Sequence, residues 1–149
     1  MTRLHHIARL RQPGAAHRLH ALVIERHDLP FAWGLRDCCM WAADAAYAAT
    51  GRDLASDLRG TYWSARQAVR MVAAKGGMQA MLRTRLGYPI PADQAIDGDI
   101  CLLVASAQES VPGLGALGAL WRGSILAQAD RGLAVRPVSD AAAWYGVSA

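Results

Sequence analysis

Between Asp37 and Gly51 runs CCMWAADAAYAAT, a stretch with six alanines and a single charge, Asp44. Asp37 suits the cap of a first turn and Gly51 a stop, so the spacing predicts a helix from Cys38 to Thr50. A helix without a polar face has no side to give to water, and neighbours must enclose it. A chain of 149 residues, 53% of them hydrophobic, can supply that enclosure within one domain. At this size about two-thirds of the unfolded surface is buried.

The flanking segments divide into two kinds. Pro13-Gly14 breaks a short N-terminal turn from a helix running to about Asp28, with Leu19, Leu22 and Val23 as its apolar stripe. LPFAWGLRD is a loop punctuated by Pro30 and Gly34. Ser64-Ala-Arg-Gln67 matches a capping box and starts a third helix, which ends at Gly76-Gly77. MQAMLRTRL adds a short fourth helix stopped by Gly87. Beyond the Asp97-Gly98 turn, DICLLVA (Asp99 to Ala105) reads as a buried strand. SILAQA and LAVRPV flank Asp130-Arg131-Gly132 and read as a hairpin. Helices followed by an antiparallel sheet give an α+β class. The expected organisation is a basic, partly helical segment over 1–24 and a domain over 25–149.

Charge excludes little. The net value is +4, and Lys75 is the single lysine. Before Glu25 the chain carries Arg3, Arg9, Arg11 and Arg18 with four histidines and no acid. Such a segment can touch nucleic acid, but no aromatic stacking residues accompany it, so a solvated helix face is favoured. No apolar run reaches the roughly 18 residues of a membrane span. MTRLHHIARLRQPG is too polar and interrupted for a secretory signal. Cys38, Cys39 and Cys101 make an odd set without CxxC spacing, which favours reduced thiols, assembly in a cytoplasm and no zinc site.

Cys38 opens the central helix. A thiol attacks as thiolate, and a helix N-terminus lowers its pKa by placing partial positive charge beside it. Arg36 favours the thiolate and Asp37 opposes it. Residue type and place make Cys38 the candidate nucleophile.

The surroundings carry a resemblance. The opening F-x-W-G-x-x-D-C continues as A-D-A-x-x-A-x-T-G-x-D, here Phe31, Trp33, Gly34, Asp37, Cys38, Ala43, Asp44, Ala45, Ala48, Thr50, Gly51 and Asp53. With LRGTYWSARQAVRMVAAKGG, the Gly98-Asp99 strand start and Trp144, this resembles the NlpC/P60 superfamily of papain-like cysteine peptidases. It is most similar to a branch found among tailed-phage proteins. The resemblance implies a papain-like fold with Cys38 in the nucleophile position and Cys39, where those peptidases have serine, as packing. It also implies residence in a phage virion at the tail tip, bound to other tail proteins.

One departure decides between activity and its loss. The family's general base is a histidine opening the strand after the Gly-Asp strand, typically in H-V-G-I-Y. The matching segment here is ALGALW, which puts Ala116 in that place, and no histidine follows His27. A positioned acid–base contributes roughly 10²- to 10⁴-fold. Gln128 and Asp130 lie on or near the following strand and can hydrogen-bond near Cys38, but glutamine is no base and a carboxylate raises a thiol's pKa. His5, His6, His17, His20 and His27 fall on a helix or its end, where solvent-facing or capping roles are favoured. His17 and His20, one turn apart, lack a third metal ligand.

GLGALG, Gly113 to Gly118, fits the dinucleotide pattern but follows a proline and precedes strand-like sequence, so a glycine loop is the better account. Trp33, beside Cys38, is a candidate groove residue, while Trp41 on its buried helix reads as core. Tyr62 and Trp63, in a loop ahead of a helix, are candidates for an exposed contact. Three functions follow in order: a tail structural or assembly protein with a degenerate peptidase fold; an active cysteine hydrolase on peptidoglycan peptides or a tail precursor; a small basic binding module. No cofactor, metal or membrane span is expected, and nucleic acid is a disfavoured partner.

Overall fold

The computed structural model describes residues 11–104 and 114–148 and has the α+β class. Among the described residues four α-helices come first: α1 (Ala15–Arg26), α2 (Cys38–Thr50), α3 (Ala65–Ala74) and α4 (Met78–Leu86). Five strands follow: β1 (Ile100–Leu103), β2 (Leu117–Trp121), β3 (Ser124–Gln128), β4 (Leu133–Arg136) and β5 (Ala141–Tyr145). They form one antiparallel sheet in the order β4-β3-β2-β1-β5.

Enclosure of α2 organises the molecule. Met40, Trp41, Ala45, Ala46 and Ala49 are essentially free of solvent. Alanine lets neighbouring elements approach closely, so α2 lies against α1 on one side and β2 and β3 on the other. Leu19 of α1 joins Trp41, Ala45, Ala119 and Leu126 in one core cluster. A second cluster sets Cys39, Ala42 and Ala46 against Val72 of α3, Leu82 of α4 and the strand residues Ile100, Leu102 and Leu117. Cys101, Leu103, Leu120, Ile125 and Trp144 fill the opposite sheet face.

Both expected caps form. Asp37 accepts the Met40 N–H at 2.9 Å, and Ser64 accepts the Gln67 N–H at 3.2 Å. In return Gln67 accepts the Trp63 N–H at 2.7 Å, which completes the capping box. The β3–β4 hairpin turns at Asp130-Arg131-Gly132, and a Cβ on Gly132 would stand 1.9 Å from the His27 carbonyl oxygen. Residues 11–26 pack with the rest: Leu19 and Arg26 are buried, and Arg11 reaches Asp99 at 2.8 Å. No break in packing falls at residues 24–25. His5, His6, Gly113 and the turn ahead of residue 11 lie outside the described residues. Among the described residues, no helix is long and apolar enough to cross a membrane.

Candidate functional site around Cys38

The loop that delivers Cys38 is locked by its own motif residues. Asp37, 2% exposed, receives the Met40 N–H on Oδ1; on Oδ2 it receives the Gly34 N–H at 2.8 Å and the Tyr62 hydroxyl. Gly34 has φ +74, and a Cβ there would stand 2.0 Å from the Tyr62 carbonyl oxygen. Only glycine combines that φ with that approach. The Gly-x-x-Asp spacing is therefore an anchoring device, whatever the neighbouring thiol does. Tyr62 is correspondingly buried, at 3% exposure, which corrects its expected place at an exposed contact. A buried phenol needs a hydrogen-bond acceptor, and Asp37 provides it.

The half-buried Cys38 thiol sits below the ordinary thiol pKa, first because the Cys39 thiol hydrogen-bonds to it. Burial and the Asp37 charge pull it back up, while the backbone N–H groups of Leu117 and Cys39 favour the thiolate. Cys39 shifts well upward, since its proton is held by Cys38 and burial disfavours its charge. Burial pushes Cys101 up to about 12. Cys38 is thus the one of three free thiols poised to ionise.

What faces the sulfur from the sheet is apolar. Strand side chains alternate, so Ala116 packs with Cys101, Leu103 and Leu120 on the far side of the sheet. Leu117 turns toward the helices beside Cys39 and Ala43. Of the two, Leu117 and not Ala116 is therefore on the Cys38 side of the sheet. Isobutyl has no lone pair to accept a proton. Continuing the β2–β3 register two residues from Ala119↔Leu126 sets Gln128 across from Leu117. Gln128 gives its Nε2 to the carbonyls of Ala129 and Gly132, each at 3.0 Å, and its Oε1 is buried without a hydrogen-bond partner. Asp130 presents its backbone carbonyl, at 2.8 Å, to the Phe31 N–H.

No described histidine reaches this site. His20 lies 6.1 Å, centroid to centroid, from the ring of Trp121 at the far end of β2. That end is four residues, about 13 Å, from Leu117. His27 contacts the Ile24 carbonyl on its own helix, and His17 is exposed. Trp33 packs edge-on to Phe31 at 4.7 Å and, like Cys38, lies half-buried against the core. Trp41 is core and donates its indole N–H to the Leu126 carbonyl at 2.7 Å. Trp63 is 72% exposed, as its loop position suggests. Gly118 lies within β2, so no helix follows the glycine-rich pattern and its requirement for a phosphate-facing helix N-terminus fails.

Comparison with known proteins adds one finding. A family model described as "Domain of unknown function (DUF6950)" matches residues 10–147. No curated protein and no solved structure matches the chain.

Proposed function

The chain belongs to that family, DUF6950, and from this premise we propose that it is a phage tail-tip structural or assembly protein whose NlpC/P60-like, papain-like fold has lost its peptidase chemistry. It acts by binding other tail proteins, is assembled in the host cytoplasm and ends in the virion. The F-x-W-G-x-x-D-C resemblance supports the phage-tail assignment. The observation that carries the loss of chemistry is Leu117. It shares the core cluster that Cys38 packs against, gives its backbone N–H to the thiol and lies across the strand pair from Gln128. The side chain at this place is thus an isobutyl group that can neither take a proton from the thiol nor donate to the buried Gln128 Oε1. The remaining motif residues have structural work: Gly34 and Asp37 fix the loop, while Gly98 and Asp99 fix the start of β1.

The alternative, a cysteine hydrolase acting on peptidoglycan peptides, is favoured by the lowered Cys38 thiol. One assay pair separates the two. Purified protein incubated with peptidoglycan sacculi should release no new muropeptides by mass spectrometry. Cys38→Ala in the parent phage should leave tails and infectivity intact. Muropeptide release by the wild type and not by Cys38→Ala establishes the hydrolase instead. The third reading, a basic module acting through its N-terminal segment, is weakened by the packing of α1 and Arg11 on the domain.

A further inference from the structure

Residues 58–92 contain six basic side chains and no acid. Arg59 is satisfied by Asp44 and Asp53, Arg85 by Asp57, and Arg83 lies over the Tyr88 ring. Lys75 lies just past the end of α3, and Arg66 and Arg70 remain on it, both exposed and, among the described residues, without an ion pair or hydrogen bond. They stand one turn apart, about 200° around the helix from the buried pair Ala68 and Val72. Trp63 heads the same element, exposed for most of its surface, and Val69 adds exposed apolar area beside the two arginines.

Trp63 is not a loose loop residue. Its backbone N–H is held by Gln67, and the preceding Tyr62 is buried and bonded to Asp37. The Gly60 N–H to Gly34 carbonyl contact, 3.2 Å, joins its segment to the loop bearing exposed Leu35. An indole presented on a fixed backbone loses little further freedom on binding. Tryptophan and arginine are also the residues that most often dominate protein interfaces.

We propose that this face of α3, led by Trp63 with Arg66 and Arg70, docks an acidic, apolar-containing segment of a partner protein. The charge pattern selects the sign, because residues 58–92 supply no carboxylate to compete for the two guanidinium groups. The single indole selects protein over nucleic acid. Duplex binding spreads over roughly six to ten phosphate contacts, and single strands use successive stacking aromatics. The inference stands on this surface alone, and hydrolysis at Cys38 would leave it untouched.

The test uses three labelled probes at physiological salt: a 12-residue peptide of Glu, Asp, Leu and Phe, its lysine-substituted counterpart, and a 12-nucleotide single strand. Fluorescence anisotropy should show saturable binding of the acidic peptide only. Trp63→Ala and the double variant Arg66→Glu/Arg70→Glu should each weaken it by about tenfold or more. Arg52→Glu, the same charge reversal at one exposed arginine elsewhere, should leave affinity within about twofold, whereas Arg66→Glu alone should weaken it more than that. Far-ultraviolet circular dichroism should confirm that every variant folds. Absence of saturable acidic-peptide binding, equal loss with Arg52→Glu, or preference for the oligonucleotide overturns the proposal.

Discussion

Asp37 shows how one side chain serves a loop, a helix and a distant residue together. It caps α2 through Met40, holds Gly34 in its turn and receives the Tyr62 hydroxyl. With its proton committed to a buried carboxylate, Tyr62 has a pKa well above the phenol range, first through burial and then through the Asp37 charge. Tyr62→Phe removes the donor but keeps the ring. It should lower the unfolding free energy by roughly 1.5–3 kcal/mol, the range for a hydrogen bond to a charged group. Urea denaturation checks this, and a loss below about 0.5 kcal/mol would mean that Asp37 does not depend on the phenol. The cap was legible in the sequence, because Asp ahead of an apolar run has a local meaning. The third partner was not, since residues 37 and 62 meet only in the folded chain.

At the scale of elements, the helices were readable nearly to the residue. Met78–Leu86 ends before Gly87, and α3 starts after its capping serine, because caps and glycine stops act within one turn. Strand β5 was not readable. AAAWY carries no strand signal of its own and becomes a strand by pairing with β1 from Ile100↔Tyr145 to Leu103↔Ala141. The attachment of α4 to the preceding loop is also tertiary: Arg85 meets both oxygens of Asp57, at 2.7 and 2.8 Å, and the Leu54 carbonyl at 2.7 Å. The hydrogen bonds from Arg85 bring the Asp57 carboxyl down to about 2 from 3.8. A depressed folded-state pKa means that this contribution is present above the unfolded value and fades as pH falls from about 4 toward 2. Exposure and salt screening keep it small. A carbon-13 NMR titration should place the Asp57 midpoint near 2, and a midpoint at the ordinary carboxylate value would show that the fork is not held in solution.

Across the whole molecule, Asp99 joins segments from opposite ends of the chain. Its solvent-free carboxylate accepts from Arg11 at 2.8 Å, the Val147 N–H at 3.0 Å and the Ile96 N–H at 2.8 Å. Arg11 also gives its guanidinium to the Val147 and Asp97 carbonyls, so the segments near the two termini close over the start of β1. Asp99→Ala strands these donors and should cost roughly 3–5 kcal/mol, the range for breaking a buried pair from one side. Asp99→Asn, which keeps two of the contacts, should cost less. Chemical denaturation monitored by tryptophan fluorescence would measure both, and a loss for Asp99→Ala under about 1 kcal/mol would rule out the clamp.

By itself the sequence determined the local physics: where helices start and stop, that CCMWAADAAYAAT must be enclosed, that helices precede an antiparallel sheet, and that Cys38 stands at a helix head. These depend on interactions within a turn or on the polarity of one segment. Only the tertiary structure decided what meets across the core. It set Leu117 rather than Ala116 against the thiol, buried Tyr62 while leaving Trp63 in solvent, and kept the described histidines from the sulfur. Strand register and long-range packing fix those outcomes, and a shift of one residue along β2 would reverse which side chain faces Cys38.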